Sequence, residues 1–292
     1  MFSAPALRFE DLGDDVAIFS SFSGGRTSAF MTWWLKQRCR LRQRLIVLFS
    51  NTGREHPRTL DFVRACDENL GFETVWLEAV VNPGAGVGTT HRVVTYETAD
   101  RGGGPYEEMI KKYGIPNLAF PHCTRELKLR PMHSYLRSLG YEPSKIPTAI
   151  GIRADEQRRV KNQANIFYPL IDSIPTDKPD VLDWWSEYPY DLDIEEFEGN
   201  CLGCFKKSYA KQFAQLDKDP SVFAWTDAIE KKYANAGSGV GPRVFFRGNR
   251  STEQLIQLRL SASAVADPLI YANDGGCSES CELYETENTE AA

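Results

Sequence analysis

Ile18-Phe19-Ser20-Ser21-Phe22-Ser23-Gly24-Gly25-Arg26-Thr27-Ser28-Ala29-Phe30-Met31 is the stretch that decides the fold. Val16 to Phe19 read as a buried strand, and from Thr27 onward Phe30, Met31, Trp34 and Leu35 recur at helical spacing. The short turn between them is made of Ser and Gly. It aims several backbone N–H groups and the positive end of a helix dipole at one point, and Gly24 and Gly25 let an anion come close to the backbone. Ser23 and Ser28 add hydroxyl donors and Arg26 adds charge. Phosphate suits such a turn, although a plain strand-to-helix corner of any α/β protein has the same pattern. The spacing is not Gly-x-x-x-x-Gly-Lys-Ser/Thr, which excludes a Walker A loop.

Working outward, a second apolar strand, Leu45 to Phe49, follows the helix Thr27 to Gln37. Strand, helix and strand at this spacing imply a parallel pair with a right-handed crossover. The loop Ser50 to Pro57 then opens at the same carboxyl edge as the Ser/Gly turn, where open α/β sheets bind ligands. Pro57 starts a helix ending at Gly71, with Cys66 on its apolar face. Thr74 to Leu77 is a third strand. Residues 78–105, rich in glycine and without helical periodicity, predict a long mobile loop that carries His91. Helices are expected over Tyr106–Tyr113, over Cys123–Leu139 with an adjustment near Pro131, and over Lys178–Tyr188, with a fourth strand at Thr148–Ile150. Beyond Cys201 the chain reads as helices near Tyr209–Gln215, Val222–Tyr233 and Thr252–Leu260.

Four ordered motifs carry a resemblance. Ser23-Gly24-Gly25-Arg26-Thr27-Ser28 resembles the Ser-Gly-Gly-x-x-Ser pyrophosphate loop (PP-loop) of the adenine-nucleotide α-hydrolases. Asn51-Thr52-Gly53-Arg54-Glu55-His56-Pro57-Arg58-Thr59, Cys123 to Pro131, and Gly151-Ile152-Arg153-Ala154-Asp155-Glu156-Gln157-Arg158-Arg159 are similar to motifs of their phosphoadenylyl-sulfate (PAPS) reductase-like branch. The match spans about residues 16 to 210. It implies a three-layer α/β fold with an open, mainly parallel, Rossmann-like sheet and a mostly helical C-terminal region. The implied organisation is a nucleotide-binding domain over 1–200, a cysteine-bearing helical region over 201–273 and an acidic flexible tail over 274–292.

The resemblance also implies the site. Ser21, Phe22, Ser23, Gly24, Gly25, Arg26, Thr27, Ser28, Asn51, Thr52, Gly53, Glu55, Gly151 and Arg153 would bind an adenine nucleotide, ATP or PAPS. Arg26, Lys128, Arg153, Glu156 and Arg159 would serve the reaction, the cations around phosphate or sulfate, with Glu55 or Asp155 orienting Mg²⁺. A helix-start ion-pair set is the bland reading of Arg153, Glu156 and Arg159. One departure bears on hydrolysis: the family's loop carries Asp just before its last Ser, and Thr27 stands there.

Cys201-Leu202-Gly203-Cys204 can direct two thiolates to one metal. Cys123 is the third thiol, because cluster-bearing members of the branch have a cysteine pair where His122-Cys123 stands. The resemblance thus suggests a [4Fe–4S] cluster with an open iron, or with His122, Cys277 or Cys281 as fourth ligand. Zinc and plain reduced thiols are the alternatives. The implied function is ATP cleavage between the α- and β-phosphates and sulfur transfer to an acceptor such as tRNA or DNA, with a cysteine desulfurase as donor. The rivals are a PAPS or adenylyl-sulfate reductase forming sulfite with a thioredoxin-like donor, and a non-catalytic nucleotide- or metal-binding subunit of a modification or defence complex.

Composition sets the outer bounds. The 292 residues carry net charge −6, but six acids lie in 274–292, and without them 34 acidic residues face 34 basic ones. Lys36, Arg38, Arg40, Arg42 and Arg44 form a local basic cluster, either a solvated helix end or a nucleic-acid contact. No apolar run approaches the roughly 20 residues of a membrane span and Met1–Asp15 lacks a signal core, so a cytoplasmic protein is expected, with a homodimer among its candidate assemblies. Seven cysteines in that setting read as ligands, nucleophiles or buried thiols rather than a disulfide framework.

Overall fold

The computed structural model describes residues 7–237 and 241–262. The chain runs β1 (Ala17–Ser21), α1 (Arg26–Arg38), β2 (Arg44–Asn51), α2 (Pro57–Leu70), β3 (Val75–Val80), β4 (Thr90–Val94), α3 (Gly104–Tyr113), α4 (Arg130–Ser138), β5 (Thr148–Ala149), β6 (Ile166–Phe167), α5 (Pro169–Asp172), α6 (Lys178–Ser186), α7 (Tyr209–Lys218), α8 (Ala224–Tyr233) and α9 (Thr252–Ala262). Among the described residues six strands form one sheet, in the order β4-β3-β2-β1-β5-β6, parallel except for β4. The α/β reading with a mainly parallel open sheet holds.

The layers follow from burial. Ile18, Val47, Phe49 and Phe167 on one face of the sheet join Met31, Leu35, Phe62, Val63 and Trp185 of α1, α2 and α6 in one core. Phe19, Ile46, Leu48 and Leu77 on the other face pack with Met132 and Leu136 of α4. Strands buried on both sides therefore read as unbroken apolar runs, as in β2. A third core joins Met109 and Ile110 of α3 and Leu127 to Phe205, Phe213, Phe223, Phe245 and Leu255 from the C-terminal helices.

Two expectations are corrected. Residues 78–105 are not a structureless loop, because β3 extends to Val80 and β4 pairs with it antiparallel from Trp76↔Val94 to Val80↔Thr90. An edge strand with one wet face has little apolar signal, and glycines precede it. His91 therefore sits on a strand, with Nδ1 2.8 Å from the Ser134 hydroxyl. β6 lay unread, since two residues are too few to show a period.

The expected adjustment near Pro131 has a clear cause. Proline has no N–H to offer the Leu127 carbonyl four residues back. The Ser50 hydroxyl donates to that carbonyl instead, at 2.7 Å, and the turn Arg125–Leu129 widens into a π-helix.

Glu78 on β3 is fully buried, yet accepts from Asn51 Nδ2 (2.7 Å), the Asp100 N–H (2.6 Å) and Arg92 of β4 (2.6 and 2.9 Å). Removing one partner of a buried ion pair leaves an uncompensated charge. Arg92 is 56% exposed and Glu78 keeps Asn51 and the Asp100 N–H as donors, so Arg92→Ala should cost about 1 kcal/mol in denaturant unfolding, and adding Glu78→Gln to it should restore part of the loss. An Arg92→Ala protein as stable as the parent would refute this account of the β3–β4 edge.

Candidate functional site

The Ser/Gly turn leaves β1 at the carboxyl edge and enters α1 with extended Gly25 as its N-cap. Gly24 adopts φ +79°, and a Cβ there would stand 2.7 Å from Thr59 Cγ2 on α2. At Gly24 the close approach is thus to a neighbouring helix. Ser28 Oγ lies 2.9 Å from Ser23 Oγ and donates to the Gly25 carbonyl at 3.0 Å, which closes the turn around its own hydroxyls. Arg26 forms a two-point ion pair with Asp191, 2.7 Å at both contacts. The Trp185 indole N–H donates to the Arg26 carbonyl at 3.1 Å.

The motif beginning at Gly151 follows β5 and meets the same turn. A Cβ on Gly151 would sit 3.1 Å from the Ser28 Cα, tighter than an ordinary van der Waals contact, so a side chain there would press the two backbones apart by a few tenths of an ångström. Arg153, nearly buried, donates to Thr27 Oγ1 at 3.2 Å and pairs with Asp155 at 2.9 Å. Glu156 accepts from Arg159 and lies 3.5 Å from Arg153. Thr27, in the place of the family's Asp, therefore touches Arg153.

Asn51 to Glu55 form the third wall. Asn51 is tied to Glu78 and to the Asp100 carbonyl, and Gly53, at φ +79°, leaves no room for a Cβ beside the Asp100 carboxylate. Glu55 accepts from the Thr52 N–H (2.9 Å) and hydroxyl (2.9 Å). Cys201 pairs with this loop: Glu55 and Cys201 form a β-bridge, Leu202 N–H donates to the Arg54 carbonyl at 2.6 Å, and Cys201 Sγ is 3.4 Å from Thr52 Oγ1.

Cys123, Cys201 and Cys204 line one cavity together with Thr52, Lys128, Tyr106 and Lys206. Burial, with Glu55 adding to it, pushes the Cys201 thiol well above the ordinary thiol range. Burial likewise raises the Tyr106 phenol, which is hydrogen-bonded to Cys123. Lys206 donates to Thr124 Oγ1 at 2.7 Å. Among the described residues no three His, Cys, Asp or Glu side chains stand close enough to hold a single metal ion. His122 does not line the cavity: its Nε2 lies 3.1 Å from the Gly114 carbonyl, and burial lowers its pKa to about 4. Cys277 and Cys281 lie outside the described residues.

The basic residues 36–44 sit at the other end of α1, whose 13 residues span about 20 Å. Lys36 donates to the Gly71 carbonyl and Arg40 pairs with Asp14, while Arg38 lies 5.7 Å over the Trp34 ring. Asp191, Tyr106 and Lys206 were missed in the sequence; each belongs to no motif and reaches the site only through long-range folding.

No protein-family model matches the chain. The uncharacterized nin region protein ORF290 of Escherichia phage lambda is 33% identical over 274 residues, covering 90% of this chain and 94% of that protein. The chain belongs to the family of this phage protein. Among solved structures, a phosphoadenylyl-sulfate (PAPS) reductase from Candida auris, in a phosphate complex, matches at 18% identity and a TM-score of 0.38, covering 62% of this chain and 77% of that one. Among the described residues no helix is long and apolar enough to cross a membrane.

The contact between Gly151 and Ser28 can be tested directly. Gly151→Val should force the β5 end away from α1 and cost about 2 kcal/mol, the scale of overpacking a tight contact. Thermal unfolding reads it, and an unchanged midpoint would mean that the two backbones have slack.

Proposed function

We propose that this chain is a PAPS reductase-like PP-loop enzyme that binds ATP at the carboxyl edge of the sheet, cleaves it between the α- and β-phosphates, and uses the activated substrate for sulfur transfer to a nucleic-acid acceptor. The supporting observation is convergence. The Ser23–Ser28 turn touches Gly151 and Arg153, and the Thr52–Glu55 loop touches Cys201 of a cavity that also holds Cys123, Cys204 and Lys128. A phosphate-suited turn and a thiol-lined cavity thus belong to one edge of the sheet.

In this reading the N–H groups of the turn and the α1 dipole hold the β- and γ-phosphates. Arg153 braces the turn through Thr27, and Lys128 supplies a cation beside the thiols. Glu55, held by Thr52, or the more exposed Asp155, paired with Arg153, would orient Mg²⁺. Three thiols lining one cavity are the residues that would hold a [4Fe–4S] cluster, Cys123, Cys201 and Cys204, with zinc as the competing metal. When bound, such a cluster supplies an open iron at which sulfide is held. The chain's own part is to keep three thiols facing one space, with Tyr106 and Lys206 covering it.

A second reading has an observation in its favour. Arg26, Arg153 and Arg159 are each engaged by carboxylates of the chain, Asp191, Asp155 and Glu156. Cations satisfied in this way suit a nucleotide-binding subunit without hydrolysis.

Two measurements separate these readings. Gly25→Val should weaken ATP binding by more than tenfold in calorimetry, while the unaltered chain releases pyrophosphate from ATP; binding without pyrophosphate would favour the subunit. After anaerobic purification, the chain should carry about four irons with sulfide and Cys201→Ser should lose them. Equal iron in both, or none in the parent, would remove the cluster from the proposal.

A further inference from the structure

A second cavity, of about 450 Å³, lies between the start of α2, the segment 193–202 and α7. Its walls include the aliphatic side chains Ile194, Leu202 and Val222, with Gln215 of α7 among the lining residues. Gln215 is only 2% exposed, yet among the described residues neither its amide nitrogen nor its amide oxygen has a hydrogen-bond partner. An unpartnered buried amide costs free energy at both atoms, since the water it gave up is not replaced. Single buried polar atoms of Arg54, Thr74, Tyr190 and Gln212 also lack a partner among the described residues, and Gln215 differs in lacking one at both amide atoms.

The charges around the cavity argue against an anion as the group recognised. Arg58 and Lys218 are set against Asp193, Glu198 and Asp219, and Lys218 already pairs with Glu198 at 2.8 Å. Burial lowers the pKa of His56, which keeps its ring neutral at pH 7. What remains is an apolar contact surface of Ile194, Leu202 and Val222 within a mostly polar cavity, with the Gln215 amide buried behind its wall. A nucleobase fits it: a flat ring between Leu202, Val222 and Ile194, with an edge that answers the amide. A Gln side chain pairs with the N6–H and N7 of adenine through two hydrogen bonds.

We infer that this cavity is a nucleobase-binding site, separate from the phosphate-binding turn, in which the Gln215 amide swings into the cavity and reads the N6/N7 edge of an adenine. Leu202 belongs to both neighbourhoods. Its side chain lines this cavity, while its N–H donates to the Arg54 carbonyl in the loop that touches Cys201. A base held here therefore lies one residue along the chain from the thiol cavity.

The test uses the full chain carrying Gly25→Val, so that binding at the turn does not contribute, with adenosine as the probe followed by calorimetry and ligand-observed NMR. Adenosine should bind, and 7-deazaadenosine, which lacks N7, should bind about tenfold more weakly. Gln215→Met should weaken adenosine to the level of the deaza analogue and abolish the difference between the two. Its thermal midpoint should not fall, because an unpartnered amide is removed. Ile194→Trp, which fills the slot without touching the amide, should also abolish binding. Equal affinity for the two nucleosides, equal affinity in Gln215→Met, or no adenosine binding would each overturn the site. Those failures leave ATP binding by the unaltered chain as it was, so they are distinguishable from a failure of the turn.

Discussion

The backbones of Gly151 and Ser28 pass closely, a Cβ on Gly151 standing 3.1 Å from the Ser28 Cα, and the loops of this edge meet at that contact. It places the end of β5 against the first turn of α1, which brings Arg153 to Thr27. Parallel strands joined by right-handed crossovers all point their carboxyl ends the same way. The loops after β1, β2 and β5 are thus neighbours by topology, and the glycine contact sets how near they come.

Polar burial keeps this edge rigid. Glu78 collects Asn51, the Asp100 N–H and Arg92, which fixes the loop after β2 from beneath. Glu126, also fully buried, accepts from Thr89 and lies 2.9 Å from Arg125 and 3.2 Å from Arg130, at the start of the π-turn that carries Lys128. Each carboxylate is compensated by cations and by neutral donors, the condition under which a buried charge is tolerable. The thiol cavity hangs on the same frame, because Cys201 bridges to the Asn51–Glu55 loop and Cys123 precedes the π-turn.

Much of this was legible in the sequence where the signal was local. The apolar run at Ile18, the proline at position 57 and the helical spacing after Thr27 each mark an element within a few residues of its bounds. The kink at Pro131 was legible because a missing N–H is a property of one residue. β4 was not, since an edge strand pairs on one side and none of its five residues is fully buried. Within the site, the residues of the four motifs were found by resemblance. Asp191, Tyr106 and Gln215 were invisible, because their roles come from which distant backbone they fold against. The resemblance had already grouped Cys123 with Cys201 and Cys204, and the structure lines one cavity with all three.

The bond from the Trp185 indole to the Arg26 carbonyl has a practical side. Indole emission responds to hydrogen bonding and to nearby charge, and this indole is held against the first residue of α1 while packing on Phe62 at 4.8 Å. Movement of the turn is thereby coupled to an intrinsic fluorophore. Trp185 is one of six tryptophans, so a protein with the other five replaced would report movement of the first turn of α1 in real time without an added label.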